Sequence, residues 1–178
     1  MHVNYIIMKG YVQVYTGNGK GKTTAALGLA LRATGASKNV FIAQFVKGKM
    51  YSEIKAVREF LKGIHIKQYG RGCFIVHSPT KEDVQAAQKG LAEVKEIIQS
   101  EKFDLIILDE VFIALYYKLF PIEELIRIIQ HKPKNLELIL TGRYAPKEII
   151  ELADLVTEMK EEKHYYKEGV EGREGIEF

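Results

Sequence analysis

A glycine-rich stretch near the start of the chain has the residue types and spacing of a phosphate-binding loop. It runs TGNGKGKTT over residues 16–24, between a β-type run and a helix-type run rich in Ala and Leu. Such a turn faces backbone N–H groups inward, and the helix start adds the positive end of its dipole. Lys22 can reach the terminal phosphates, and the Thr23 hydroxyl can bind Mg²⁺. The stretch therefore predicts binding of a nucleoside triphosphate.

The loop departs from the common pattern G-x-x-x-x-G-K-[ST], because the position of its first glycine holds Thr16. Alternating glycines instead let the backbone come very close to phosphates. We expect the triphosphate to be held differently from that in a kinase or GTPase loop. The residues predicted to bind it are Gly17, Asn18, Gly19, Lys20, Gly21, Lys22, Thr23 and Thr24.

A second candidate site follows an apolar strand-like run, residues 103–108, which ends in Asp109 and Glu110. In phosphate-loop proteins a strand of this kind lies beside the strand of the loop and offers a carboxylate toward Mg²⁺. Neighbouring strand residues point to opposite faces, so the two acids are expected to have different roles. Either one could face the metal, directly or through water. We therefore predict Thr23, Asp109 and Glu110 as the metal site.

Composition bounds the class of protein. The 178 residues are 47% hydrophobic and 28% charged, which is ordinary for one soluble globular domain. The net charge of +3 is well short of a nucleic-acid-binding signature, so no such partner is expected. One cysteine, Cys73, excludes an internal disulfide and favours a reducing cytoplasm. No apolar run has membrane-spanning length, and no cleavage site follows the patch at residues 5–8, so neither membrane span nor signal peptide is expected.

Strand-like and helix-like runs alternate along the chain, which predicts an α/β fold with a doubly wound, mostly parallel sheet of the P-loop NTPase (RecA-like) type. The predicted strands cover residues 12–15, 40–45, 65–69, 105–108, 136–141 and 155–158. The predicted helices cover residues 24–34, 52–61, 80–99, 111–119, 122–130 and 146–153. Thr80 and Asp83 have capping-box spacing at the start of the third helix. Ligands of such sheets bind beyond the carboxyl ends of the strands, where the phosphate loop lies.

Together these motifs resemble the ATP:corrinoid adenosyltransferase family of the phosphate-loop type. The resemblance covers residues 10–178. It is carried by VYTGNGKGKTTAALG (14–28), QFVKG (44–48), LDE (108–110), LILTGR (138–143), ELADLVTEM (151–159), Lys163-His164 and GIE (175–177). The QFVKG and TGR segments are more specific than the phosphate loop, and their order and spacing also match.

The resemblance implies transfer of the 5′-deoxyadenosyl group of ATP to Co(I) of a corrinoid, with release of triphosphate. Co(I) is a strong nucleophile, so no side-chain base is required. The protein must position the reactants and stabilise an anionic leaving group. Backbone amides of residues 17–23, Lys22 and Mg²⁺ would supply that stabilisation. The resemblance also makes Arg143 a second candidate cation for the triphosphate.

The resemblance further places the corrinoid near Gly72, Cys73 and Phe74. Relatives carry aromatic residues in this loop and this chain has no Trp, so either Phe74 takes the aromatic role or Cys73 replaces it. The segment 44–48 is placed at the rim of the site, although Lys47 itself is expected to be exposed. Tyr116 and Tyr117 are expected in the core, with a place in the lining of the corrinoid pocket as the alternative.

The rest of the resemblance concerns the tail and the partners. The polar tail, residues 160–178, is expected to order over the active site of a single P-loop domain. A homodimer and an electron-donating, flavodoxin-like reductase are implied.

Two other classes of protein share the phosphate loop: a small-molecule or nucleoside kinase, and an ATP-dependent switch acting on DNA. The few, widely spaced arginines disfavour the kinase, and the mixed Lys and Glu disfavour the switch.

Overall fold

The computed structural model describes residues 9–72, 75 and 78–178. Within them six strands form one sheet: β1 (Val12–Thr16), β2 (Val40–Phe45), β3 (Ile64–Tyr69), β4 (Leu105–Asp109), β5 (Glu137–Thr141) and β6 (Leu155–Glu158). The helices are α1 (Lys22–Gly35), α2 (Ser52–Phe60), α3 (Lys81–Gln99), α4 (Val111–Tyr116), α5 (Ile122–His131) and α6 (Lys147–Leu152). All strand pairings are parallel, in the order β3-β2-β4-β5-β1-β6.

The predicted strands and helices are confirmed, with small shifts at their ends. The capping box of α3 is present, with Thr80 and Asp83 each accepting from the other's backbone N–H. Helix α4 ends at Tyr116 instead of residue 119, because Lys118 adopts a left-handed conformation (φ 53°) that a helix cannot continue through. A short 3₁₀ helix, Tyr165–Glu168, was not predicted.

Helices cover both faces of the sheet, as expected for a doubly wound fold. Along β2, Phe41 and Phe45 face one buried cluster, while Val40 and Ile42 face the other. The first cluster packs against α3 to α6, and the second against α1 and α2. This is why β2, β4 and β5, which are buried along most of their length, are largely apolar runs rather than alternating ones. None of the described helices has the length and apolarity that crossing a membrane requires.

One expectation about strand order was wrong. The strand that ends at Asp109 was expected beside the strand of the phosphate loop, but β5 lies between β4 and β1. Asp109 therefore reaches the loop across the end of β5, where Thr141 is placed. The order still brings the carboxyl ends of β1, β2, β4 and β5 to one edge, since Tyr15 pairs with Thr141 and Gln44 pairs with Asp109.

Candidate active site

The backbone of the phosphate loop requires glycine at two positions, Gly17 and Gly21. Gly17 (φ 98°) and Gly21 (φ 119°) lie in the left-handed region that glycine favours. A Cβ on Gly17 would also come within 2.5 Å of the Met159 carbonyl oxygen. Helix α1 begins immediately afterwards at Lys22, so its positive end faces the space enclosed by the loop.

Lys22 is folded back into this loop. Its ammonium donates to the carbonyl oxygens of Gly17 (2.8 Å) and Gly19 (2.7 Å). Burial lowers the pKa of Lys22 from its ordinary value. The loop thus holds a desolvated cation through two neutral acceptors, and a phosphate oxygen would be a stronger partner for it.

The loop is also tied to the chain that follows β6. The Gly19 amide donates to the Met159 carbonyl (2.6 Å), and the Met159 amide donates to the Thr16 carbonyl (2.8 Å). The expectation that all amides from residue 17 to 23 face a phosphate therefore does not hold for Gly19 in this structure. Its role here is to allow a close approach of two backbone segments.

Asp109 is the centre of the polar cluster at the sheet edge. It is fully buried and accepts four hydrogen bonds: from Thr23 (2.9 Å) and Thr141 (2.7 Å) on Oδ1, and from Gln44 (3.2 Å) and Lys47 (2.9 Å) on Oδ2. Burial alone would raise its pKa, but the Lys47 charge and the hydroxyl donors hold the pKa of Asp109 below its ordinary value. The side chain is therefore a fixed, ionised carboxylate.

Glu110 differs from its neighbour, as expected for consecutive residues. It adopts a left-handed conformation (φ 57°) before α4, and its backbone amide donates to the Thr141 hydroxyl (3.0 Å). Burial and the charge of Asp109 raise the pKa of Glu110, while Lys47, Lys22 and Arg143 oppose the rise. The carboxylate of Glu110 thus lies within the electrostatic reach of the loop cations.

The residue types of this cluster suit a magnesium ion. Thr23 Oγ1 lies 2.9 Å from Asp109 Oδ1, so a hydroxyl and a carboxylate converge beside the loop. The described residues contain no set of three or more His, Cys, Asp or Glu side chains that could hold a metal alone. A nucleotide-bound Mg²⁺ usually takes one or two protein ligands and completes its shell with phosphates and water, and a hydroxyl beside a carboxylate is a ligand pair of this kind.

Lys47 was expected to be exposed and is instead buried, with 6% of its surface accessible. Its ammonium lies 2.9 Å from Asp109 Oδ2 and 3.3 Å from Thr23 Oγ1. Although burial alone would lower its pKa, the charges of Asp109 and Glu110 raise the pKa of Lys47. The only sequence signal for this position was the QFVKG segment.

Other predicted residues lie at the surface of the site. Asn18 and Thr24 are exposed, and no hydrogen bond from either side chain occurs within the described part of the chain. Arg143 is exposed on the loop after β5, without an ion pair in that same part. The charge of Arg143 adds to the lowering of the pKa of Lys22 and opposes the rise in the pKa of Glu110, so Arg143 lies near the loop. No ion pair in the described residues neutralises it.

Lys20 connects the loop to the tail. Its ammonium donates to Glu177 (2.8 Å), to the Ile176 carbonyl (3.0 Å) and to the Tyr165 hydroxyl (3.2 Å). Tyr165 also donates to Glu177. The last residue, Phe178, accepts a hydrogen bond through its carbonyl from Ser52 at the start of α2 (3.1 Å). The tail therefore runs from the end of β6 past the loop to the opposite side of the sheet edge.

Of the predicted corrinoid residues, Gly72 is exposed, and Cys73 and Phe74 lie outside the described residues. Beside Gly72 is a cavity of about 400 Å³. Its lining includes Val46, Gly70, Ile75 and Leu119. Tyr117 borders this region through a hydrogen bond to the Ile75 carbonyl (3.0 Å).

The expectation that Tyr116 belongs to the core was wrong. Its exposed fraction is 58%, and it stacks against Tyr144 with ring centres 4.6 Å apart. Tyr117 is half-buried and packs against the larger core cluster. The two tyrosines differ because Tyr116 is the last residue of α4 and Tyr117, which follows it, points to a different side.

Comparison with known proteins gives a consistent result. The family model for ATP:corrinoid adenosyltransferase BtuR/CobO/CobP matches residues 8–178. A corrinoid adenosyltransferase of Sinorhizobium sp is 36% identical over 173 residues, covering 96% of this chain and 81% of the relative. Those of Escherichia coli K12 and Salmonella typhimurium are 33% and 34% identical over 170 residues, each covering 96% of this chain and 86% of the relative.

Proposed function

The chain belongs to the ATP:corrinoid adenosyltransferase family, and we propose that it joins the 5′-deoxyadenosyl group of ATP to the cobalt of a corrinoid. In the reaction Co(I) attacks the 5′ carbon, a cobalt–carbon bond forms, and the carbon–oxygen bond breaks. Triphosphate leaves with the electron pair of that bond. The reaction makes an adenosylated corrinoid, so its place is in adenosylcobalamin biosynthesis or salvage.

The observation that carries the proposal is the grouping of cations around the phosphate loop. Lys22 is desolvated and donates its hydrogen bonds to carbonyl oxygens, and Arg143 makes no ion pair in the described part of the chain. Such preorganised cations stabilise the negative charge that develops on a leaving group. We assign Lys22 and Arg143 to the departing triphosphate, and residues 17–24 to ATP binding.

We assign Mg²⁺ to Thr23, with Asp109 and Glu110 as the acidic side of its site. When bound, the ion would neutralise part of the triphosphate charge. Asp109 already accepts four hydrogen bonds, one of them from the Thr23 hydroxyl. Its share in the site is therefore to orient Thr23, whereas Glu110 keeps its carboxylate available to face the ion or a water molecule on it.

We assign the corrinoid to the cavity beside Gly72, with Cys73 and Phe74 as further contacts. The cavity is lined by Val46 and Leu119 and follows β3, at the same sheet edge as the loop. An apolar wall suits a macrocycle with a large hydrophobic surface.

In this proposal the chain works as a single P-loop domain whose tail, residues 160–178, closes over the bound nucleotide. The contacts of Lys20 with Glu177 and Tyr165 support that role. We also propose that the protein forms a homodimer and that a flavodoxin-like protein supplies the electron that makes Co(I). We propose the reducing cytoplasm as its location, since Cys73 is the only cysteine of the sequence.

Identification of the products from ATP tests the proposal. The protein is incubated anaerobically with Mg²⁺, ATP and chemically reduced cobalamin, and the nucleotide and phosphate products are separated by chromatography. Free triphosphate is expected. ADP with a phosphorylated acceptor would instead indicate a kinase, and ADP with inorganic phosphate would indicate an ATP-driven switch.

A further inference from the structure

The ammonium of Lys47 lies between Thr23 and Asp109, two of the residues assigned above to the metal site. It is 2.9 Å from Asp109 Oδ2 and 3.3 Å from Thr23 Oγ1. A hydroxyl and a carboxylate at this spacing are oxygen ligands of the kind that Mg²⁺ takes in nucleotide sites. A cation from the chain therefore lies against the hydroxyl assigned to the metal and against the carboxylate that orients this hydroxyl.

The backbone holds Lys47 in this place. Val46, immediately before it, is buried with φ 54°, a conformation that a β-branched residue rarely adopts and that persists only when the surroundings enforce it. Gly48, immediately after it, donates its amide to the Gly72 carbonyl (2.7 Å). A Cβ on Gly48 would come within 2.5 Å of the Gly70 carbonyl oxygen. The segment is therefore fixed on both sides of Lys47.

Burying this ammonium requires a large desolvation free energy. A buried ion pair is often no more stabilising than apolar side chains of the same size, so its presence favours a role other than stability. Without Lys47, two adjacent carboxylates, Asp109 and Glu110, would share the site with Thr23 and would attract a free divalent cation. With Lys47, the net charge of the group is one unit less negative.

We propose that Lys47 is the resident counter-ion of the Asp109 carboxylate and that it keeps free divalent metal out of the site until the triphosphate brings the metal with it. This inference rests on the proposed function, which puts the metal beside Thr23. Lys47 acts through Asp109 and Thr23, so it is a positioning residue. It makes the site selective for the metal–nucleotide complex over the metal alone.

Titration of the nucleotide-free protein with Mn²⁺, followed by electron paramagnetic resonance, tests the proposal. Lys47→Gln keeps a hydrogen-bond donor for Asp109 but removes the charge. We expect it to bind Mn²⁺ at least about ten-fold more tightly than the wild type, because a unit charge next to the metal has been removed. Adding Asp109→Asn to this variant should return the affinity to the wild-type value.

Lys67→Gln is the matched control. Lys67 also pairs with an acid, Glu93 (2.6 Å), but it is half-exposed and lies on β3 away from the loop. Its removal should leave the Mn²⁺ affinity unchanged. Equal Mn²⁺ affinity of Lys47→Gln and the wild type, with both proteins folded by circular dichroism, would overturn the proposal.

A measurement on the wild type alone keeps the test valid if Lys47→Gln does not fold. Wild-type protein should bind Mn²⁺ much more weakly without ATP than with it, and equal affinity in the two states would overturn the proposal. No corrinoid enters these titrations, so they are independent of triphosphate release. Triphosphate release combined with an unchanged Mn²⁺ affinity would reject the role of Lys47 and leave the proposed function intact.

Discussion

The ammonium of Lys20 lies 2.8 Å from Glu177 Oε1, which joins the phosphate loop to the end of the chain across 157 positions of sequence. The same carboxylate accepts from Tyr165 and from the backbone amide of Arg173 (2.7 Å). Hydrogen bonds lower the pKa of Glu177, those from the Arg173 side chain being the largest cause and those from Lys20 and Tyr165 following, so Glu177 remains ionised at neutral pH. The junction is exposed to solvent, and its strength will therefore depend on salt.

Loss of the Glu177 charge should loosen the tail. For Glu177→Gln we expect about two- to five-fold faster ATP dissociation in stopped-flow measurements, in line with the small contribution of an exposed ion pair. Glu162→Gln is the control, because the partner of Glu162 in the described part of the chain is the exposed Lys160 of the same segment. Equal dissociation rates in the two variants would show that the tail does not hold the nucleotide.

Removal of the Arg143 charge should impair the reaction without affecting the fold. Arg143 is exposed and makes no ion pair in the described residues, so Arg143→Ala should change the free energy of unfolding by less than about 0.5 kcal/mol. If it stabilises the leaving triphosphate, kcat/KM for ATP should fall about 100-fold. Arg32→Ala, in the last turn of α1 far from the loop, should keep normal activity. Unchanged kinetics in Arg143→Ala would remove it from the site.

Substitution at Gly48 should disturb the segment that carries Lys47. A Cβ there would lie 2.5 Å from the Gly70 carbonyl oxygen and 2.6 Å from the Arg71 carbonyl carbon, both backbone atoms. Gly48→Ala should lower the free energy of unfolding by about 1–3 kcal/mol in urea titrations.

Gly28→Ala provides the opposite case. Gly28 is an exposed position within α1, where an added Cβ meets no atom within 4 Å. Gly28→Ala should raise the free energy of unfolding by about 0.5–1 kcal/mol, because alanine loses less backbone entropy than glycine when it is held in a helix. Equal effects of the two substitutions would contradict the close packing of Gly48 against the loop at Gly70.

The buried Asp109 should make stability depend on pH. The folded protein holds the pKa of Asp109 below the ordinary value of 3.8, so its stabilising contribution is present above that value and is lost as the pH falls through the folded pKa. Asp109→Asn should lower the free energy of unfolding by about 3–5 kcal/mol at neutral pH, because it leaves Lys47 buried without its partner.

The same variant should also respond less to acid. Between about pH 5 and pH 2 the wild type should lose stability more steeply than Asp109→Asn, since only the wild type takes up a proton at this position. Urea unfolding across this range measures both slopes. Parallel slopes would mean that another group controls the acid sensitivity.

Local patterns predicted most of the fold. The continuous apolar runs predicted the central strands, because a strand that is buried on both faces has no other sequence signature. Thr80 and Asp83 predicted the start of α3. Local patterns could not predict the strand order, because the position of β5 between β1 and β4 depends on how segments that are distant in sequence pair. The 3₁₀ helix at Tyr165 was missed because its stability comes from the contacts of the tail with Lys20.

The structure brings predicted residues together wherever a motif carries its own geometry. The glycines fix the loop, and the end of an apolar strand places Asp109 at the sheet edge. Lys47 was expected to be exposed because a lysine after a strand usually faces solvent, and only a partner 62 positions away explains its burial. The contact between Gly19 and Met159 is equally non-local. The corrinoid contacts at Cys73 and Phe74 stay predictions.

We expect Co(I) to displace triphosphate from the 5′ carbon of ATP bound at the phosphate loop. One anaerobic reaction measures this directly, with light-sensitive adenosylated corrinoid followed by absorbance and triphosphate by chromatography. The wild type should form equal amounts of the two products, and Lys22→Ala should form neither. Binding of ATP without either product, or triphosphate without adenosylated corrinoid, would show that this reaction does not take place.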